Sequence, residues 1–201
     1  MNAAARALGA DTDAYRPVGT ARPLAMANRF LRLRAAFTAP DGKFARPNTY
    51  GDALWHGVFD AAYTRPGDYL VQQPSIWFIA AQQRLLPVLC VQTNRIVSFS
   101  RPAAPSSTGI NEYGGATTAT NDLLLEDWPA SVLGATGGGR TETDLPGDGS
   151  VPTWTVLLPA TPGLVLRPSD LMSDDLGRNA VVAAAELSGL GWRVTVKQAT
   201  T

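Results

Sequence analysis

Along much of this chain, apolar and polar residues take turns. Residues 192–198 (WRVTVKQ) set Trp192, Val194 and Val196 against Arg193, Thr195 and Lys197. Residues 151–158 (VPTWTVLL) set Trp154, Val156 and Leu158 against Thr153 and Thr155. Successive side chains of extended backbone point to opposite faces, so a period of two predicts strands with one buried face. Residues 95–102 (RIVSFSRP) predict a strand closed by proline. Further strands are predicted at 54–60 (LWHGVFD), 69–71, 76–81 (IWFIAA), 88–92 (VLCVQ), 128–133 and 164–166. Residues 180–187 (AVVAAAEL) suit a helix or a buried strand, and their short, Gly-bounded length favours the strand. Residues 25–37 (AMANRFLRLRAAF) fit a basic amphipathic helix or an edge strand. The Ala-rich residues 1–14 suggest a short helix or disorder.

Turn signals divide these segments. Pro40-Asp41-Gly42 and Arg65-Pro66-Gly67-Asp68 combine a proline that presets φ with a glycine that supplies a positive one. Arg16-Pro17 and Arg22-Pro23 restrict the preceding backbone and predict an extended arm. Residues 102–120 and 134–150 are long polar stretches without periodicity, a length usually given to functional or mobile loops. No internal repeat is visible. The pattern predicts an all-β, mainly antiparallel protein. Residues 95–201 are expected to form a small β-barrel or sandwich. Residues 1–94 are expected to be a β-rich region with an extended basic arm and a short N-terminal helix.

Composition adds limits. Gly and Pro make up 34 of 201 residues, which fits many turns and few long helices. Lys and Arg balance Asp and Glu overall. Residues 1–105 nevertheless hold 12 cationic and 6 anionic residues (+6), and residues 106–201 hold 5 and 11 (−6). Opposite ends of this kind suit head-to-tail stacking, since complementary potentials set encounter and register. The basic residues are scattered, so tight nucleic-acid binding is not indicated. One cysteine, Cys90, forms no intrachain disulfide, which suits a reducing compartment. No apolar run reaches the roughly 18 residues of a membrane helix. The start of the chain lacks the apolar core of a signal peptide, as expected of a protein that stays where it is made until assembled.

Candidate chemistry is sparse. Residues 134–141 (GATGGGRT) approach a phosphate-cradling loop, with Arg140 in place of lysine. Pro146, Gly147 and Gly149 leave no room for the helix that such a loop needs. A flexible glycine-rich loop is the expectation. His56 and Cys90 are the sole residues of their types and suggest a hydrolase only if folding joins them with an orienting group. They cannot fill a zinc site, so no metal and no cofactor is expected. Asp144 and Asp148, or Asp170, Asp174 and Asp175, lack calcium-loop spacing and read as turn residues. The five tryptophans (Trp55, Trp77, Trp128, Trp154, Trp192) fall one per strand and read as core or interface anchors.

The order of features from residue 95 onward resembles the bacteriophage head–tail joining proteins of the head-closure or stopper type. The features are RIVSFSRP, EYGGAT, LLLEDWPASVLG, LVLRPSDLMSDDLGR and the closing GWRVTVKQ. The first half, with RPNTYGDALWHGVFD, departs from that pattern. The resemblance implies a non-enzymatic virion protein that assembles as a cyclic homo-oligomer, six- or twelve-fold. It would join portal or adaptor to tail proteins, retain DNA with non-specific contact, and reside in the host cytoplasm before assembly. Tyr113, Gly114, Gly115, Gly137, Gly138, Gly139 and Arg140 are the assembly candidates, by loop position. A tail or baseplate part is the alternative.

Overall fold

The computed structural model describes residues 7–39, 53–83, 86–102, 121–134 and 151–199. The seven assembly candidates, Tyr113 to Gly115 and Gly137 to Arg140, lie outside these residues, as do Asp144 and Asp148. The regular structure of the described residues is almost wholly β, as the alternation predicts. The first six strands are β1 (Ala10–Tyr15), β2 (Arg29–Thr38), β3 (Leu54–Val58), β4 (Tyr69–Gln72), β5 (Ser75–Ala81) and β6 (Val88–Gln92). The second six are β7 (Arg95–Arg101), β8 (Asp122–Gly134), β9 (Thr153–Leu158), β10 (Leu171–Asp174), β11 (Asn179–Ser188) and β12 (Gly191–Gln198). One 3-10 turn, Met26–Asn28, precedes β2.

Each set closes into a six-stranded antiparallel barrel. The neighbour order is β1-β2-β3-β6-β5-β4 in barrel 1 and β7-β8-β9-β12-β11-β10 in barrel 2. These are one topology used twice: two three-stranded meanders zipped together along both margins. The register repeats as well. Trp55 faces Cys90 across β3 and β6, and Trp154 faces Val196 across β9 and β12. A bulge places Ala80 of β5 outside the ladder, and another places Ala183 of β11 at the matching position. The expectation of no internal repeat is therefore corrected. The two copies share few residues, and their loops differ in length, so no fixed period marks the sequence.

Three local expectations also change. Among the described residues of 1–14, residues 7 and 8 are helical and residues 10–14 belong to β1. The ambiguous basic segment is strand from Arg29 onward, with Ala35 sealed in the lumen and Arg32 and Arg34 outside. Residues 164–166 form no strand, although Leu164 and Leu166 are buried. Their backbone serves a corner instead, as follows.

The corner is built identically in both barrels. Arg65-Pro66-Gly67-Asp68 and Arg167-Pro168-Ser169-Asp170 each make a turn just before the fourth strand. The Asp N–H returns to the Arg carbonyl, at 3.1 Å and 3.2 Å. Gly67 and Ser169 hold the positive φ of the turn, +94° and +73°. Each Asp carboxylate accepts the Arg backbone N–H at 2.9 Å or 2.7 Å. The same carboxylate takes both prongs of an arginine at the end of the first strand. Arg16 grips Asp68 at 2.9 Å and 2.7 Å, and Arg101 grips Asp170 at 2.8 Å and 2.9 Å. Each guanidinium also donates to a loop carbonyl, Tyr63 or Val165. Hydrogen bonds to each Asp raise the affinity of its arginine for the proton, so the clamps stay charged. Both carboxylates are almost fully buried, and each is met by a forked, charge-assisted pair, the stronger kind of hydrogen bond.

The interiors are filled by the predicted faces. Barrel 1 encloses Ala14, Ala35, Phe59, Leu70, Trp77, Ile79, Val88 and Cys90, with Phe37 stacked on Trp77 at 3.8 Å. Barrel 2 encloses Val97, Phe99, Val156, Met172, Val182, Val194 and Val196. Asp68→Ala and Asp170→Ala should each lower unfolding free energy by about 2–3 kcal/mol, because a buried backbone N–H and half a clamp lose their partner. Urea titration followed by tryptophan fluorescence measures this; a change below about 0.5 kcal/mol would show the clamp to be incidental.

Candidate functional site

The surface most elaborately built in this molecule is the seam between the barrels. The outer face of barrel 1 is apolar along one cross-strand row: Tyr15, Tyr69, Phe78 and Val91 stand side by side on β1, β4, β5 and β6. All four are buried, in one cluster with Trp128, Ala130, Leu158 and Leu164 of barrel 2. Tyr69 makes edge contact with Trp128 at 6.0 Å, and its hydroxyl donates to the Pro129 carbonyl at 2.8 Å. Burial pushes the Tyr69 phenol well above its ordinary pKa, so it remains a neutral donor.

The chain link is pinned on both sides. Thr93 donates to the Ile76 carbonyl through both its N–H and its Oγ1, at 2.9 Å and 3.0 Å. Asn94 docks on β8, accepting from Val132 N–H at 2.8 Å and donating to the Val132 carbonyl at 2.9 Å. The segment before β2 crosses the same seam. Trp128 Nε1 donates to the Thr20 carbonyl at 2.7 Å, and Arg22 pairs with Glu126 and Asp127 at 3.1 Å and 3.2 Å. The sequence marks this arm by its two Arg-Pro steps but gives no sign of its partner. Asn94 and Tyr69 carried no sequence signal as seam residues, because each answers a backbone group remote in the chain.

Beside the seam lies a cleft of about 460 Å³ lined by Leu54, Phe78, Val91, Leu133, Leu190 and Trp192. Trp192 is buried there, and its Nε1 has no hydrogen-bond partner. At the rim Glu186 pairs with Arg193 at 2.8 Å.

The remaining candidates resolve into structural roles. His56 and Cys90 sit on neighbouring strands, but Cys90 is opposite Trp55 and His56 is opposite Leu89. Alternation then sends them to opposite faces, with Cys90 in the lumen. Burial pushes the Cys90 thiol far up, which leaves it protonated and unreactive. Asp170 belongs to the corner clamp. Asp174 caps a turn, accepting from Leu176 and Arg178 N–H and from the Arg178 guanidinium. Burial opposes its charged form, but those donors outweigh burial and hold the carboxyl below its usual range. Asp175 lies 4.0 Å from Arg95. Among the described residues no group of three His, Cys, Asp or Glu side chains could hold a metal. The described part of the charge asymmetry is partly internal: Arg22 answers the acids of barrel 2 across the seam.

Tyr69→Phe should cost about 1–2 kcal/mol, because the Pro129 carbonyl is left without its buried donor. Thermal unfolding of the variant measures it; an unchanged midpoint would deny the bond its weight. Cys90 should resist an aromatic disulfide reagent in native buffer and react within seconds in denaturant. Rapid native labelling would contradict the closed lumen.

Comparison with known proteins returned no match: no family model fits the sequence, and no curated protein and no solved structure aligns with it.

Proposed function

We propose that this chain is a structural virion protein of a tailed bacteriophage. In this reading it is a head–tail connector or head-completion component whose copies form a ring that links portal to tail and retains DNA. The observation that carries the reading is the order of motifs from residue 95 onward, RIVSFSRP to GWRVTVKQ, in a region whose described residues form a closed barrel.

Mechanical function asks for stiffness and for contact surfaces. Two closed barrels supply the first, since each described strand is hydrogen-bonded to two neighbours of its own barrel. In sequence, residues 103–120 precede β8 and residues 135–150 follow it, and in this reading Tyr113 to Gly115 and Gly137 to Arg140 remain the assembly candidates. The opposed faces of His56 and Cys90 weigh against the hydrolase reading.

Disrupting the gene and imaging the lysate by electron microscopy tests the proposal. A connector defect should leave free tails and heads that leak DNA. Filled, stable heads attached to malformed tails would reject the connector and favour a tail or baseplate part. A Cys90→Ala, His56→Ala double variant should support normal infectivity; its loss with intact folding and assembly would favour an enzyme.

A further inference from the structure

One strand of barrel 2 outruns its neighbour. On the β10 side, β11 is met as far as Val182, whose N–H donates to the Asp170 carbonyl at 2.8 Å and whose carbonyl accepts from Ser169 N–H at 2.9 Å. Beyond Val182 the strand continues to Ser188, paired only with β12. The ladder fixes the direction of each backbone group. Gln198 N–H bonds to the Pro152 carbonyl, so by alternation Val196, Val194 and Trp192 turn their backbone toward β9. Arg193 and Thr195 turn theirs toward β11, where they meet Glu186 and Ala184. The N–H and C=O of Ala185 and Leu187 therefore point away from β12. Among the described residues nothing hydrogen-bonds to them on that side.

Barrel 1 covers the matching place. The bulges at Ala80 and Ala183 align the two strands, so Gln82 corresponds to Ala185. There β5 stops at Ala81, and the Gln82 side chain donates to the Ala61 carbonyl at 2.7 Å and accepts from Thr64 Oγ1 at 3.1 Å. In barrel 2 the place is a bare strand margin. Ala184, Glu186, Leu187 and Ser188 are exposed, Leu187 to 55%. Native edges are blunted by lysine, by proline or by a charge turned inward. The stretch AAELS has none of these, and Glu186 lies outside, held by Arg193 of the same hairpin at 2.8 Å.

We infer that this margin takes up an extended strand of a neighbouring protein, antiparallel to β11, with a cation opposite Glu186 and an apolar residue on each side of that cation. Unpaired backbone donors and acceptors on a strand select another strand, and the pleat then selects its side chains. The pairing with β12 shows which ones suit. Arg193 stands opposite Glu186, between Trp192 opposite Leu187 and Val194 opposite Ala185. The incoming strand repeats that pattern on the free side and covers Leu187. A second copy of β11 is a poorer occupant. To use both residues of each edge it must pair Ala185 with the copy's Leu187, which sets Glu186 against Glu186. Like charges directly opposite destabilise a strand pair. The inference stands on β11 alone and does not rest on the connector reading.

Amide hydrogen exchange of the full-length chain, read residue by residue by NMR, tests it with a peptide of the β12 sequence, GWRVTVKQ, as probe. In the free chain the N–H groups of Ala185 and Leu187 should exchange fast, and those of Ala184 and Glu186 slowly. Saturating peptide should slow the first two by about tenfold or more. A peptide with glutamate in place of the arginine should bind about threefold more weakly, and Glu186→Lys should reverse that order. Leu187→Pro removes only an unpaired donor, so the thermal midpoint should hold while peptide affinity falls by about tenfold or more. If that variant fails to fold, the reversal by Glu186→Lys decides. Slow exchange at Ala185 and Leu187 in the dilute free chain would show the margin already covered and overturn the inference. Protection that grows with protein concentration would make the occupant a second copy and overturn it too. So would a peptide that protects neither residue at about 1 mM.

Discussion

Closure of the sheet is the constraint on which everything else in this protein depends. A six-stranded sheet left open would expose two rows of backbone donors and acceptors. Here the first strand of each meander pairs with the first strand of the other, and the last with the last, so both rows are consumed. That pairing has to be held where the chain crosses from the third strand to the fourth. A buried aspartate does this in each barrel. It ties its own turn, and through the forked arginine it ties the end of the first strand to the beginning of the fourth. The charge is buried, but it is met by three donors within hydrogen-bond distance, the condition under which a buried ion pair is tolerated.

Closure has a second consequence. With its strands paired to one another, a closed barrel meets another mainly through the outward side chains of its wall. The seam is built largely in this way, with backbone bonds added where the arm and Asn94 meet β8. Its apolar content comes from residues one step out of phase with the lumen, Tyr69 beside Leu70 and Phe78 between Trp77 and Ile79. Strands β4 and β5 are therefore buried on both faces and read as near-continuous apolar runs. The link is short and both its residues are hydrogen-bonded, Thr93 into barrel 1 and Asn94 onto barrel 2. Two pinned residues, an apolar wall and the crossing arm couple the barrels more firmly than a flexible tether would.

The polar groups with a candidate chemical role are largely taken up by this architecture. The histidine and the cysteine are separated by the pleat. The acidic residues near the end of the chain are bound to turns and arginines.

The all-β class, the position of most strands and the inward faces were legible in the sequence, because strand alternation is local: Trp192, Val194 and Val196 declare a lumen face whatever lies around them. The ambiguity at Phe30 to Phe37 was local too, since apolar residues there fit both periods until a partner strand was present. The repeat, the corner clamps and the seam were settled only by the tertiary structure. Arg16 and Asp68, or Tyr69 and Pro129, are distant in the chain, and their meeting is decided by which strands pair. Sequence by itself determined which side of each strand seeks cover; the fold decided what covers it, because closure and docking are satisfied between remote segments and leave no periodic trace.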